Sequence, residues 1–296
     1  MKLYNQKRLI YSFLCIFSLS GAAQSSSSDL IIFSYNRPLQ LESLLRSIDQ
    51  HIQHLENLFI LYRSEGDAFE SAYEELKEMY PKANFYQQSN RPRNDFKPIL
   101  LDMLNYAQAD YIMFAVDDII ITENIDVNKC VNALEQTNAY GFYLRLGKNI
   151  TYSYTYNMPL KLPHLTPIAE DIYAFTFAGN KSYWAYPNTV DMTIYKKSDI
   201  LPFLTHANYS SPNKLESVWH QKANLHQQGL CFSHSKMINT PLNIVQEDWN
   251  NKHDDLYTPE ELLSFWQQGL RIDINDVYNI DNNTAHISYH PIFIKK

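Results

Sequence analysis

This chain of 296 residues lacks the features that mark several common protein classes. Its net charge is −7 and it has no long basic run, which argues against a nucleic-acid partner. It has only seven glycines, and none lies between Asp29 and Arg63, where a glycine-rich phosphate loop would follow a first strand. The three cysteines, Cys15, Cys130 and Cys231, form no CxxC pair, so neither a zinc knuckle nor a redox motif is expected.

The first 28 residues differ from the rest of the chain. A basic start (Lys2, Lys7 and Arg8) is followed by the apolar stretch LIYSFLCIFSLS and then by GAAQSSSS. This order is typical of a secretory signal peptide, with cleavage after Ala23. The alternative is an uncleaved membrane anchor, although the apolar stretch is shorter than the ~20 residues of a membrane span. We therefore interpret residues 1–28 as a signal peptide or membrane anchor followed by a Ser-rich linker.

Residues 29–296 have a globular composition, and their first part alternates regularly. The whole chain is 45% hydrophobic and 19% charged, which is enough to build a core. Strands are predicted at residues 29–38, 57–64, 83–88 and 110–121, with helices at 39–52, 67–81 and 96–109. Beyond residue 129 the pattern is looser, with helices predicted at 130–137, 211–229 and 258–270 and strands at 140–147 and 285–296. The alternation predicts a single α/β domain with a mostly parallel central sheet flanked by helices.

Two adjacent carboxylates interrupt the fourth predicted strand, in the sequence MFAVDDIII. Burying an unpaired carboxylate is costly, so Asp117 and Asp118 are expected to lie at a strand end or to meet a cation. In open α/β sheets ligands bind beyond the carboxyl ends of the strands. Carboxylates at that edge can hold Mg²⁺ or Mn²⁺, and such a cation can bridge the phosphates of a nucleotide. A solvated strand end is the alternative.

Two segments carry a family resemblance. IIFSYNRP before an amphipathic helix, and YIMFAVDDII some eighty residues later, resemble the GT-A fold glycosyltransferases, in particular the family 2-like nucleotide-diphospho-sugar transferases. The resemblance extends more weakly through LRLGKN and PNKLES. It implies a Rossmann-like GT-A domain, with residues 29–128 as the nucleotide-binding half and residues 129–296 as the acceptor-binding half. It also implies metal-dependent transfer of a sugar from a nucleotide-diphosphate donor to a hydroxyl of a carbohydrate or other acceptor.

The resemblance assigns donor-binding roles to residues at the carboxyl end of the first predicted strand, to a lysine before the third helix and to the acid pair. Those expected to contact the nucleotide are Ser34, Tyr35, Asn36, Arg37, Lys97 and Asp117. A turn residue is an equally good interpretation of Asn36, and Lys97 could be an ordinary surface lysine.

The resemblance also implies a divalent metal, Mn²⁺ or Mg²⁺, held by Asp117, Asp118 and His286. The family motif is D-x-D, but its first acidic position falls here on Ala115 or Val116, so it stays open which carboxylate binds the metal directly. His286 and His290 lie on the same face of a predicted strand, and His286 is preferred because it follows a polar turn. A histidine packed at a sheet edge is the alternative.

An inverting transferase needs a carboxylate that takes the proton of the acceptor hydroxyl. Glu216, near the start of a predicted helix in SPNKLESVW, is the first candidate, and Asp191 in NTVDMT is the second. Glu216 could also be an exposed helix charge that interacts favourably with the helix dipole. If the sugar kept its configuration, the role of Glu216 would fall away.

Two other functions remain open from the sequence. The same acid pair could serve a nucleotidyltransferase or phosphohydrolase, although the scarcity of glycine disfavours the first. The chain could also be a non-catalytic carbohydrate-binding protein. An N-terminal signal predicts a secretory or membrane-associated location. Nucleotide sugars are made in the cytosol, so cytosol-facing catalysis is the alternative.

Overall fold

The computed structural model of the chain describes residues 27–245, 256–278, 280 and 282–296. The predicted signal-like segment over residues 1–28 lies outside these ranges except for its last two residues. Within the described ranges no helix combines the length and the apolar character that crossing a bilayer requires.

The elements are numbered here in chain order. The helices are α1 (Pro38–His51), α2 (Asp67–Met79), α3 (Pro92–Tyr106), α4 (Val127–Thr137), α5 (Lys197–His206), α6 (Pro212–His220), α7 (Pro259–Gln267) and α8 (Ile274–Val277), with a 3₁₀ turn at Ser182–Ala185. The first strands are β1 (Ser28–Tyr35), β2 (Ile52–Gln53), β3 (Leu55–Arg63), β4 (Asn84–Gln87), β5 (Tyr111–Val116), β6 (Ile119–Ile121), β7 (Ile125–Asp126) and β8 (Gly141–Tyr143). The later strands are β9 (Tyr152–Ser153), β10 (Met158–Pro159), β11 (Thr166–Ala169), β12 (Ile172–Thr176), β13 (Thr193–Lys196), β14 (Gln228–Phe232), β15 (Met237–Asn239), β16 (Leu270–Ile272) and β17 (Phe293–Lys295).

Nine strands form one mixed sheet in the order β11-β12-β14-β8-β13-β5-β1-β3-β4. The first half of the chain supplies β4, β3, β1 and β5, which run parallel as predicted. Strand β13 then pairs antiparallel with both β5 and β8, and β12 pairs antiparallel with β14 and β11. The α/β architecture is therefore confirmed, whereas the mostly parallel character holds for the first half.

Strand β1 shows why its sequence is an unbroken apolar run. Leu30 and Ile32 point into one core cluster, and Ile31 and Phe33 point into the other. A strand with helices on both faces buries both sets of its alternating side chains. Helices α1, α2, α4 and α7 supply buried side chains to the first cluster, and α3, α5 and α6 to the second.

The predicted strand over residues 110–121 is wrong in one respect. It stops at Val116, Asp117 and Asp118 form a turn, and Ile119–Ile121 pair with β15 in a separate two-stranded sheet. The two carboxylates therefore stand at the carboxyl end of β5 and not within a strand, which is the lower-cost arrangement for charged groups.

The predicted helix over residues 211–229 is also wrong beyond His220. Gly229 does not end a helix but lies in β14, where an added Cβ would lie 2.7 Å from Phe175 and 2.8 Å from Tyr143. Glycine is needed there because the neighbouring aromatic rings fill the space. The predicted strand over residues 285–296 is confined to β17, with one further bridge between His286 and Asn239.

Gly147→Ala is expected to destabilise the fold by about 1–3 kcal/mol, the usual cost of overpacking a filled core. An added Cβ would overlap the main-chain nitrogen of Ser235 and lie 2.5 Å from the carbonyl carbon of His234. Both are backbone atoms and cannot rotate away. Urea unfolding checks this, with the exposed Lys161→Ala as control. Equal midpoints for Gly147→Ala and wild type would contradict the expectation.

A candidate active site at the carboxyl ends of the parallel strands

A cavity of about 650 Å³ opens at the carboxyl ends of β1, β3 and β5. The first half of the chain lines it with Ser34, Tyr35, Arg37, Arg63, Asp117 and Asp118, among others. The second half lines it with Arg145, Tyr154, Tyr183, Tyr186, Asp191, Glu216, His220, Asn239, Asn243 and His286, among others. The cavity thus lies where ligands bind in open α/β sheets, as predicted from the sequence.

The acid pair meets a cation from the chain itself. Nη1 of Arg37 lies 3.0 Å from Oδ1 of Asp117 and 3.1 Å from Oδ2 of Asp118. The other carboxylate oxygens also accept hydrogen bonds, from the Tyr35 amide to Asp117 at 3.3 Å and from the Asn239 side chain to Asp118 at 2.9 Å. Each of the four carboxylate oxygens therefore has a protein donor.

Local backbone geometry brings Arg37 to this position. Asn36 has φ of 51°, a left-handed conformation that asparagine tolerates, and its amide donates to the carbonyl of Arg63. Pro38 then occupies the first turn of α1, where its missing amide hydrogen is harmless. The turn between β1 and α1 thus directs the Arg37 side chain across the end of β5.

Burial and charge oppose each other at the pair. Burial raises the pKa of Asp117 to about 6, and the neighbouring Asp118 adds to this effect, while the Arg37 guanidinium acts to lower it. Burial acts to lower the pKa of Arg37, but the two carboxylates raise it above its ordinary value. Arginine therefore stays charged and compensates the carboxylates.

The described residues do not form a ready-made metal site. They contain no group of three or more His, Cys, Asp or Glu side chains that could hold a metal ion. The predicted ligands Asp117 and Asp118 are bridged by Arg37, and Nε2 of His286 lies 4.0 Å from Asp191. The donor set as folded therefore does not fit a divalent cation bound by those three residues.

Glu216, from α6, lines the same cavity. Its Oε1 accepts a hydrogen bond from the Val190 amide at 3.0 Å. Burial raises the pKa of Glu216 to about 7, and the negative charge of Asp191 adds to the shift. A carboxylate with this pKa is suited to proton transfer near neutral pH.

Arg145 is a cavity residue that the sequence reasoning missed. It is 3% exposed, donates to the carbonyl of Tyr186 at 3.0 Å and lies 3.8 Å from Asp191. Its Nε has no hydrogen-bond partner within the described part of the chain. The signal was present in the sequence, because YGFYLRLG places a charge in an apolar run as MFAVDDIII does.

His286 lies between two tyrosines of the second half. Its ring centroid is 5.7 Å from that of Tyr183 and 6.5 Å from that of Tyr154, and both pairs are stacked. Burial lowers the pKa of His286, which favours the neutral ring, although the charges of Asp191 and Asp118 act in the opposite direction. Its Nδ1 has no hydrogen-bond partner among the described residues, which leaves a polar atom for a ligand in the cavity.

The predicted donor-binding residues separate into two groups. Ser34, Tyr35, Arg37 and Asp117 line the cavity. Asn36 and Lys97 are not among the lining residues: the Asn36 side chain accepts from the Glu65 amide, and the Lys97 ammonium donates to the carbonyls of Thr205 and Ala207 at the end of α5. In the structure Asn36 and Lys97 thus make contacts within the protein, and their nucleotide contacts stay a prediction.

No family model matches the chain, but its sequence is similar to that of a glycosyltransferase. It is 27% identical over 189 residues to the bifunctional glycosyltransferase pgtA of Dictyostelium discoideum. The match covers 58% of this chain and 24% of the relative, so the chain spans about a quarter of that protein's length.

The fold is that of solved GT-A glycosyltransferases. S. aureus TarS residues 1–349, solved with UDP, superposes with a TM-score of 0.50 at 12% identity, over 71% of this chain and 59% of that one. The mannosyltransferase PcManGT from Pyrobaculum calidifontis, solved with GDP-Man and Mn²⁺, gives a TM-score of 0.40 at 12% identity, over 69% of this chain and 54% of that one. At that score PcManGT supports no inference. The resemblance drawn from the sequence is thus confirmed for the fold.

Proposed function

We propose that this chain, which has the GT-A fold, transfers a sugar from a nucleotide-diphosphate donor to a hydroxyl of a carbohydrate or other acceptor. The observation that carries the proposal is the cavity at the carboxyl edge of the sheet, which is lined by both the Arg37 cluster and Glu216. The sequence likeness to a glycosyltransferase supports the same activity.

We place the donor in the part of the cavity at the carboxyl ends of β1, β3 and β5. Ser34 and Tyr35 are the last two residues of β1. The Ser34 hydroxyl is hydrogen-bonded to the Tyr73 hydroxyl at 2.6 Å, and Tyr35 offers a flat ring, over which the Arg63 guanidinium lies 4.4 Å from the centroid. These groups suit a base and a ribose. The acceptor is placed on the other side, where Tyr154, Tyr183 and Tyr186 offer aromatic faces for a sugar's C–H groups.

Glu216 is proposed as the general base. Its carboxylate takes the proton of the acceptor hydroxyl while that oxygen bonds to the anomeric carbon, and the bond from the anomeric carbon to the diphosphate breaks. The electron pair leaves with the nucleoside diphosphate, and a single displacement of this kind inverts the anomeric configuration. Asp191 is the weaker candidate because its carboxylate is committed to an ion pair with Arg145.

Metal dependence is not part of this proposed mechanism. Mn²⁺ or Mg²⁺ stays a prediction from the family resemblance, and a metal would supply charge stabilisation for the departing diphosphate. The steps above are written without a metal, because Arg37 already bridges Asp117 and Asp118, two of the three predicted metal ligands.

A secretory or membrane-associated location also remains a proposal. It depends on residues 1–26, which lie outside the described ranges, and on their basic, apolar and Ser-rich order. N-terminal sequencing of the mature protein decides between cleavage and retention.

Purified protein is expected to cleave one class of sugar nucleotide and to pass the sugar to a hydroxyl acceptor. The measurement is release of nucleoside diphosphate from a panel of UDP- and GDP-sugars, with mass spectrometry of the products. Release without a glycosylated product, even with added oligosaccharides, would favour a phosphohydrolase. Binding of oligosaccharide without any release would favour a carbohydrate-binding protein.

A further inference from the structure

A single nitrogen atom of Arg37 contacts both carboxylates of the acid pair. The Nη1 nitrogen of Arg37 contacts one oxygen of Asp117 and one of Asp118, and the three side chains are 9%, 3% and 11% exposed. A divalent cation that bound both carboxylates would have to take the place of this nitrogen. The guanidinium therefore stands where the family resemblance puts a metal.

Arg37 is also fixed at its other edge. Its Nε donates to Oδ1 of Asn243 at 2.9 Å, and its Nη2 donates to the Asn243 carbonyl. Asn243 is held in turn through its side-chain nitrogen, which donates to the Tyr257 carbonyl at 3.2 Å. A side chain bound on three of its nitrogens does not swing aside without losing several buried, charge-assisted hydrogen bonds.

The charges of Arg37, Asp117 and Asp118 also disfavour a divalent cation at this position. Two carboxylates and one guanidinium carry a net charge of −1, and arginine does not lose its proton in proteins. A divalent ion beside Arg37 would meet a fixed positive charge at close range, and Mg²⁺ in particular gives up its hydration water reluctantly. We propose that Arg37 is the resident cation of this site and that the chain binds its nucleotide-diphosphate donor without a divalent metal. This inference rests on the proposed function.

Another cation is available for the diphosphate. Arg145 is buried in the cavity wall, and its Nε is unpartnered among the described residues. The Arg37 guanidinium faces the two carboxylates, so it organises the site and does not contact the phosphates. Arg145 supplies positive charge at the cavity, which is the part a metal plays when it stabilises a leaving diphosphate.

Calorimetry on the full chain tests this inference. We expect MnCl₂ and MgCl₂ alone to give no binding heat. We expect UDP or GDP to bind equally well in excess EDTA and in the presence of Mn²⁺. The two Kd values should agree within about threefold, a difference of under 1 kcal/mol in binding free energy. Manganese binding that disappears in Asp118→Asn, or nucleotide binding that EDTA abolishes, would overturn the inference. If neither nucleotide binds under any condition, the proposed function fails, and the titration with Mn²⁺ alone still shows whether Arg37 excludes the metal.

Arg37→Met provides the complementary measurement. It removes the guanidinium and leaves both carboxylates, so the variant is expected to gain a Mn²⁺ response, seen as a rise in Tm that Arg91→Met, on the exposed Arg91, does not show. A folded Arg37→Met without any Mn²⁺ response contradicts the idea that Arg37 occupies the metal's place. If Arg37→Met does not fold, the wild-type titrations alone decide.

Discussion

Replacing Glu216 with glutamine is expected to lower the rate of sugar transfer by about 10²–10⁴-fold, the usual contribution of a general base. Glutamine can still accept the hydrogen bond from the Val190 amide but cannot take a proton from the acceptor. Donor binding should stay the same, because the Glu216 carboxylate contacts the Val190 amide, whereas the donor is proposed to bind at the ends of β1, β3 and β5. The loss should therefore appear in kcat, with the Kd for nucleoside diphosphate unchanged.

The pH profile of the wild-type enzyme supplies an independent readout. Because burial raises the pKa of Glu216 to about 7, the carboxylate is protonated and inactive below that pH, so the rate should rise with pH through about 7 and then level off. The raised pKa also means that the folded chain binds this proton more tightly than the unfolded chain does. Stability from this group is thus lost as pH rises through about 7, and Glu216→Gln should be at least as stable as wild type at alkaline pH.

The exposed Glu78→Gln is the matched control, and it should change neither the rate nor the profile. A Glu216→Gln enzyme within about twofold of the wild-type rate would remove Glu216 from the mechanism, since a general base contributes far more than that. Asp191→Asn would then be the variant to measure next.

Arg37→Met is expected to destabilise the fold by about 3–5 kcal/mol, because it leaves two buried carboxylates without their counter-charge. We expect this loss of stability to come from the uncompensated charge and not from lost packing, since methionine fills much of the same space. The triple variant Arg37→Met, Asp117→Asn, Asp118→Asn should therefore recover a large part of the loss. Urea unfolding of the single and triple variants measures both effects.

Arg91→Met serves as the control for removing a positive charge from the surface, and it should stay within about 0.5 kcal/mol of wild type. A triple variant no more stable than Arg37→Met would show that the guanidinium stabilises by its hydrogen bonds to Asn243 and not by neutralising the acid pair.

The first half of the fold could be predicted because its signals are local. Helical spacing of leucines predicts α1, and unbroken apolar runs predict β1, β3 and β5. In the second half the sequence predicts α4, α7 and the start of α6, but not how the strands pair, because these strands are short and their partners are distant in sequence. Gly229 is an example: next to a helical pattern it suggests a helix end, but the rings of Tyr143 and Phe175 decide its role, and both lie far away in the chain.

The acid pair at the sheet edge was predicted from the sequence, but its partner was not. A charge in an apolar run indicates a buried contact without saying which one. Asp29 is fully buried at the other end of β1, and it is satisfied by the Asn57 side chain and the Ala109 amide. Only the three-dimensional arrangement shows that Asp117 instead meets Arg37 at the cavity.

Strand β13 limits how such a protein can change its specificity. It comes from the second half of the chain yet pairs with β5 of the first half, and Thr240 likewise holds the Asp118 carbonyl through its amide and hydroxyl. A hybrid gene spliced near residue 128 would leave β5 without a neighbour on one side. New acceptors are therefore more readily acquired by altering the segments 154–156 and 182–186, which border the cavity and lie outside the nine-stranded ladder.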